Sequence, residues 1–127
     1  MNNFKFSENI ESYLVSAKDI FISKIASGIK TRDELFTSLY NTLLLPGYFG
    51  FNWDALFDCL RDFHWIDEYL VIIVHEDLPT LSEEELRIYL HLLADACLDW
   101  KIDEEHKLEI VFPESVRCKV EHLLSAD

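Results

Sequence analysis

The sequence predicts an α/β domain: a small three-stranded parallel sheet flanked by helices, with further helical segments at both ends. Two observations carry this expectation. Three short runs (20–25, 69–74 and 108–112) are β-branched or continuously apolar, the pattern of strands covered on both faces. Amphipathic stretches behind helix caps lie between them, and crossovers of that length join parallel neighbours.

The elements follow in order. Phe6, Ile10, Tyr13, Leu14 and Ala17 recur at helical spacing after a cap at Ser7, which predicts an N-terminal helix within residues 1–17. The first strand, 20–25, is bounded by Asp19 and the Ser27-Gly28 loop. Thr31-Arg32-Asp33-Glu34 is a capping box, and Leu35, Phe36, Leu39 and Leu43 form the buried face of the helix it starts. Pro46 stops that helix, and Gly47 and Gly50 allow a tight turn. Asn52 caps a second helix running to about Phe63, with Phe51 and Leu56 placed as a hydrophobic staple. After the 69–74 strand, Ser82 opens another capping box. The helix behind it buries Leu86, Tyr89, Leu93, Ala96, Cys97 and Trp100. Asp103-Glu104-Glu105 marks a loop before the last strand, and Pro113 opens a final helix.

Length and composition bound the function. The 127 residues, half of them hydrophobic, make one domain able to bury a core. Eleven basic against twenty-four acidic residues give a formal charge of −13, so a phosphate backbone is a poor partner and a basic protein a good one. The three cysteines, Cys59, Cys97 and Cys118, are odd in number and widely spaced, which suits reduced thiols in a cytosol. No stretch reads as a signal peptide, and the longest apolar run is too short to span a membrane, so a cytoplasmic location is expected. The three glycines fit neither nucleotide-binding fingerprint. The histidines (64, 75, 91, 106 and 122) are scattered away from metal-ligand spacing and read as surface or half-buried structural groups. Neither cofactor, metal, nucleic acid, membrane nor small-molecule substrate is expected.

One stretch, residues 45–60, combines a helix stop, an aromatic loop and a fresh helix start. Beyond its cap, Trp53, Leu56, Phe57, Leu60 and Phe63 share one helical face, while Asp54, Asp58 and Asp62 share another. The helix dipole favours Asp54 near the N-terminus. Asp58, a like charge one turn on, costs roughly 0.2–0.5 kcal/mol. A solvated acidic face, an acid–base pair in a hydrolase, and a docking face for a cationic surface all fit this pattern. Repulsion tolerated beside exposed aromatics points to a partner that supplies positive charge as much as to a merely solvated acidic face. Cys59, beside Leu56 and Leu60, reads as core.

The same stretch resembles the signature of the barstar family, intracellular inhibitors of the ribonuclease barnase. The family's Pro-x-aromatic-aromatic-Gly loop running into Asn-x-Asp-Ala-Leu-aromatic-Asp-Cys-Leu is matched without a gap from Pro46 to Leu60. The resemblance extends over a core of about residues 19–112 within a single domain, 1–127, and implies a three-stranded sheet. It also implies a non-enzymatic protein that plugs a ribonuclease active site, its acids standing in for RNA phosphate. Asp58 would be the central anchor and Asp54 the second acid. Tyr48, Phe49 and Gly50 would form the contacting loop, with Asn52, Trp53 and Phe57 completing the patch. Asp95 is the candidate for a more distal acid. Gly47 and Phe51 stand where the family carries acids, Phe57 replaces a tryptophan, and Arg61 occupies a contact position uncharged in the prototype.

The function expected is therefore an immunity protein against a basic ribonuclease toxin. The alternative is an interaction or regulatory module of the same family whose basic partner is not a nuclease.

Overall fold

The computed structural model describes residues 4–15 and 17–125. The elements are β1 (Phe4–Ser7), β2 (Ile20–Ile25), α1 (Arg32–Thr42), α2 (Trp53–Leu60), β3 (Leu70–His75), α3 (Glu83–Asp99), β4 (Lys107–Pro113) and α4 (Arg117–Ser125). Short 3-10 turns cover Ile10–Tyr13 and Glu114–Val116. The strands form one sheet in the order β1-β4-β3-β2, and every pairing is parallel.

The sheet has four strands, so the expectation of three is corrected, and so is the N-terminal helix. Phe4–Ser7 pairs along β4 from Ile110 to Pro113. Phe4 and Phe6, two residues apart, point the same way and meet the Phe112 ring at 5.9 and 6.5 Å. That period-two pair outweighs the helical spacing of Phe6, Ile10 and Tyr13. Ser7, expected as a helix cap, accepts the Asn9 amide, and Asn9 caps the single 3-10 turn that follows. Residues 1–3 and 16 of the expected helix lie outside the described residues.

The alternation of β3 divides the interior. Val71 and Ile73 face the main core with Leu35, Phe36, Leu39, Leu56, Leu60 and Leu93, while Ile72 and Val74 face the other side with Val111. Ile10, Tyr13 and Leu14 cover that second side. The helices are begun by the expected caps: Thr31, Asn52 and Ser82 each accept an amide from the first turn. The ends of α1 and α2 are closed by indoles. Trp65 Nε1 donates to the Leu43 carbonyl at 2.9 Å, and Trp100 Nε1 to the Leu60 carbonyl at 2.8 Å. Each bond satisfies a carbonyl that a helix end leaves without an intrahelical partner.

The buried side chains of Ser23, His75 and His106 are each hydrogen-bonded. Thr42 donates its hydroxyl to the Ser38 carbonyl, so Ser23 Oγ donates to Thr42 Oγ1 at 2.7 Å. His75, expected at most half-buried, is fully buried and lies stacked on Phe112 at 4.0 Å. His75 Nδ1 donates to the Val111 carbonyl, leaving Nε2 to accept the Tyr89 hydroxyl at 2.7 Å. His106 is also buried and hydrogen-bonded to the Glu68 carbonyl.

Candidate functional site

The loop between α1 and α2 is shaped by two left-handed residues, and neither is a glycine. Leu44, φ +55°, ends α1 in a Schellman arrangement, with the Leu45 amide on the Tyr40 carbonyl at 3.0 Å. Phe51, φ +53°, turns the chain into α2. Gly47 and Gly50, expected to supply the turn, both lie outside the positive-φ region. Gly50 has a different need: a Cβ there would lie 3.1 Å from Asn52 Nδ2. Asn52 uses that amide on the Gly50 carbonyl and its Oδ1 on the Ala55 amide at 2.8 Å, fixing loop to helix.

Aromatic side chains from this loop divide between core and surface. Phe49 is only 5 % exposed and packs edge-on against Phe36 and flat against Tyr40. It therefore buttresses the loop from beneath. Tyr48 is 70 % exposed, and Phe51, 41 % exposed, lies over Phe49 and Tyr40. Trp53 and Phe57 are half-buried flanks of α2, with Trp53 against Phe36 at 4.8 Å and Tyr89 at 6.2 Å.

The outer face of α2 carries Asp54 and Asp58, both exposed. Among the described residues neither accepts a hydrogen bond nor pairs with a cation. Asp58 and Asp62 edge a groove of about 200 Å³, whose remaining walls are Tyr48, Phe49, Ala55 and Cys59. The groove joins an apolar floor to two carboxylates, which suits the stem and head of a cationic side chain. Asp62 was legible as the next acid in the Asp54, Asp58 series, although α2 itself stops at Leu60. Burial, and then the charges of Asp62 and Asp58, raise the Cys59 thiol above its ordinary pKa. It stays protonated and is a poor nucleophile.

Arg61 lies at the end of α2 with its side chain turned inward. Its Nε donates to Asp99 at 2.5 Å, its Nη2 to Glu104 at 3.4 Å, and its guanidinium stacks 4.1 Å above Trp100. The side chain is 21 % exposed, and among the described residues Nη1 is buried with no hydrogen-bond partner. The Lys101 amide and then the Arg61 charge hold the Glu104 carboxyl below its ordinary pKa, against an opposing desolvation. Asp95 is exposed on α3, one turn before Asp99. The Trp53–Tyr89 contact and the Trp100–Leu60 bond run α2 and α3 side by side in one direction. Residue 95 falls between those two crossings along α3 and does not line the groove that Asp58 edges.

Among the described residues, no group of three or more His, Cys, Asp or Glu is arranged to hold a metal ion, and no helix is long and apolar enough to cross a membrane. Asp54 and Asp58 both lie on the outer face of a single helix, and two carboxylates one turn apart there attract cations.

No curated protein sequence matches the chain. The model of the family described as Barstar (barnase inhibitor) matches residues 21–113, from the start of β2 to the end of β4. The matched span holds the Tyr48 loop, α2 and the parallel β2–β3–β4 arrangement, and leaves β1 and α4 outside. With most of its length matched, the chain belongs to the barstar family.

Proposed function

We propose that this chain is a protein inhibitor of a ribonuclease, binding the active site of a basic nuclease through α2 and the Tyr48 loop. The observation that carries the reading is the pair Asp54 and Asp58. They sit on a capped helix, without a paired cation among the described residues, beside an aromatic groove that Asp58 itself edges. Catalytic sites that cleave RNA concentrate cations to meet phosphate, and Asp58 takes the place of that phosphate. Asp54 and Asp95 broaden the charge, while Tyr48, Phe51, Trp53 and Phe57 exclude water around it. The protein acts without catalysis, in the cytosol, as immunity to a cognate ribonuclease toxin.

The test is RNA cleavage by small basic ribonucleases, barnase among them, with and without the purified protein. Inhibition by the wild type should weaken at least about 30-fold in Asp58→Ala, the size expected of a central hot spot. The barnase–barstar complex is itself a reference case for such hot spots, so this magnitude is that of a relative. Undiminished inhibition by Asp58→Ala refutes the site.

A second reading keeps the same face but gives it a basic partner that is not a nuclease. It is favoured by Gly47 and Phe51, which stand where the family's loop is acidic. Capture of partners on the immobilised chain, followed by assay of the bound protein for RNA cleavage, separates the two readings.

A further inference from the structure

We infer that Arg61 is a positioning residue: it clamps the C-terminal end of α2 to α3 and the α3–β4 loop, and does not meet the partner directly. The inference rests on the reading of α2 as the inhibitory helix. With eight residues, α2 is too short to hold its own orientation, so its pose is set at its two ends. Asn52 fixes the start. At the other end, Trp100 donates to the Leu60 carbonyl, and Arg61 lies over the ring of that same indole while bonding Asp99 and Glu104. Three groups from residues 99–104 thus hold the last turn of the helix that presents Asp54 and Asp58.

The chemistry asks for arginine. A planar guanidinium can stack on an indole and donate in its own plane to two carboxylates at once, which an ammonium cannot do. The two carboxylates also neutralise it locally. A free arginine at this spot would repel a basic nuclease, whereas this one is spent inside the protein. A cation at a helix C-terminus gains further from the dipole. Arg61 therefore raises affinity by pre-organisation, and its charge is masked from the partner.

Arg61→Met keeps the stem on Trp100 and removes the charge; Asp99→Asn removes the main acceptor. These change the net charge in opposite directions, so association with a basic ribonuclease inhibited by the wild type should speed up about twofold in the first and slow about twofold in the second. Dissociation should accelerate in both, about 3- to 10-fold, and the double variant should dissociate no faster than the worse single one. Arg61→Lys should restore the association rate but not the slow dissociation. Unchanged dissociation in Asp99→Asn, or additive losses in the double variant, would show a direct contact and overturn the inference. Hydrogen exchange of the free protein decides the clamp without any nuclease. Amides of residues 56–60 should exchange faster in Arg61→Met and Asp99→Asn, and unchanged exchange overturns the inference. If the exchange result holds while no ribonuclease is inhibited, the inhibitor reading fails and the clamp stands.

Discussion

His75 is held neutral by its surroundings. Complete burial pushes its pKa down to about 4, against a smaller opposing effect of the Val111 carbonyl. The unfolded chain takes up this proton near pH 6.5, while the native state resists it until about pH 4. Stability is therefore fully present above pH 6.5 and declines as the pH falls toward 4, by about 3 kcal/mol from this group. Urea midpoints between pH 7 and 4.5 should show the decline, and His75→Gln should flatten it. Tyr89→Phe addresses the same pair at neutral pH. Removing the hydroxyl strands a buried Nε2, and the cost should be about 1–3 kcal/mol, read as a lower urea midpoint at unchanged slope. Nothing in the sequence flagged this pair, because its members belong to β3 and α3 and meet only once those elements pack. The acids of α2 were legible for the opposite reason: Asp54 and Asp58 are neighbours through the helix alone.

Local chemistry also explains which elements were readable. Thr31, Asn52 and Ser82 act on amides three residues away, so the starts of α1, α2 and α3 could be placed from sequence. The end of α1 could not be derived in the same way, since a leucine rather than a glycine takes the left-handed position. Leu44 is exposed, so its side chain contributes little packing there. Leu44→Gly should raise stability by about 0.5–1 kcal/mol, because it removes the left-handed strain and loses no buried contact. A fall in the thermal midpoint would contradict that account. Asn52→Ala should cost about 1 kcal/mol and loosen the junction of loop and α2. Calorimetry gives the first effect, and weaker inhibition beyond the stability loss gives the second. Phe49 shows the limit of motif reading. Its position in the loop marks it for contact, but its ring is core, and only packing against Phe36 and Tyr40 reveals this.

At the scale of the whole molecule, the excess of acid makes association with a basic partner depend on salt. Raising ionic strength from about 0.05 to 0.5 M should slow the association rate about tenfold or more and leave dissociation nearly unchanged. A flat stopped-flow series would remove electrostatic steering from the account. The α/β order and parallel pairing were legible because each buried strand is a compact apolar run between capped helices. The fourth strand was not, since four residues carry too short a pattern and their alternation shows only beside Phe112.

That strand also sets an order of assembly. β2 and β3 pair across a stretch of chain that contains only α1 and α2, so this half of the sheet can form while the rest is still being translated. β1 leaves the ribosome before the other three strands, yet the edge it joins belongs to β4, which follows them all. Until β4 is made, the Phe112 ring that Phe4 and Phe6 meet does not exist, nor does the Val111 that completes the second core. The α2 face can thus be assembled on an open sheet, and the N-terminal segment closes it afterwards like a latch.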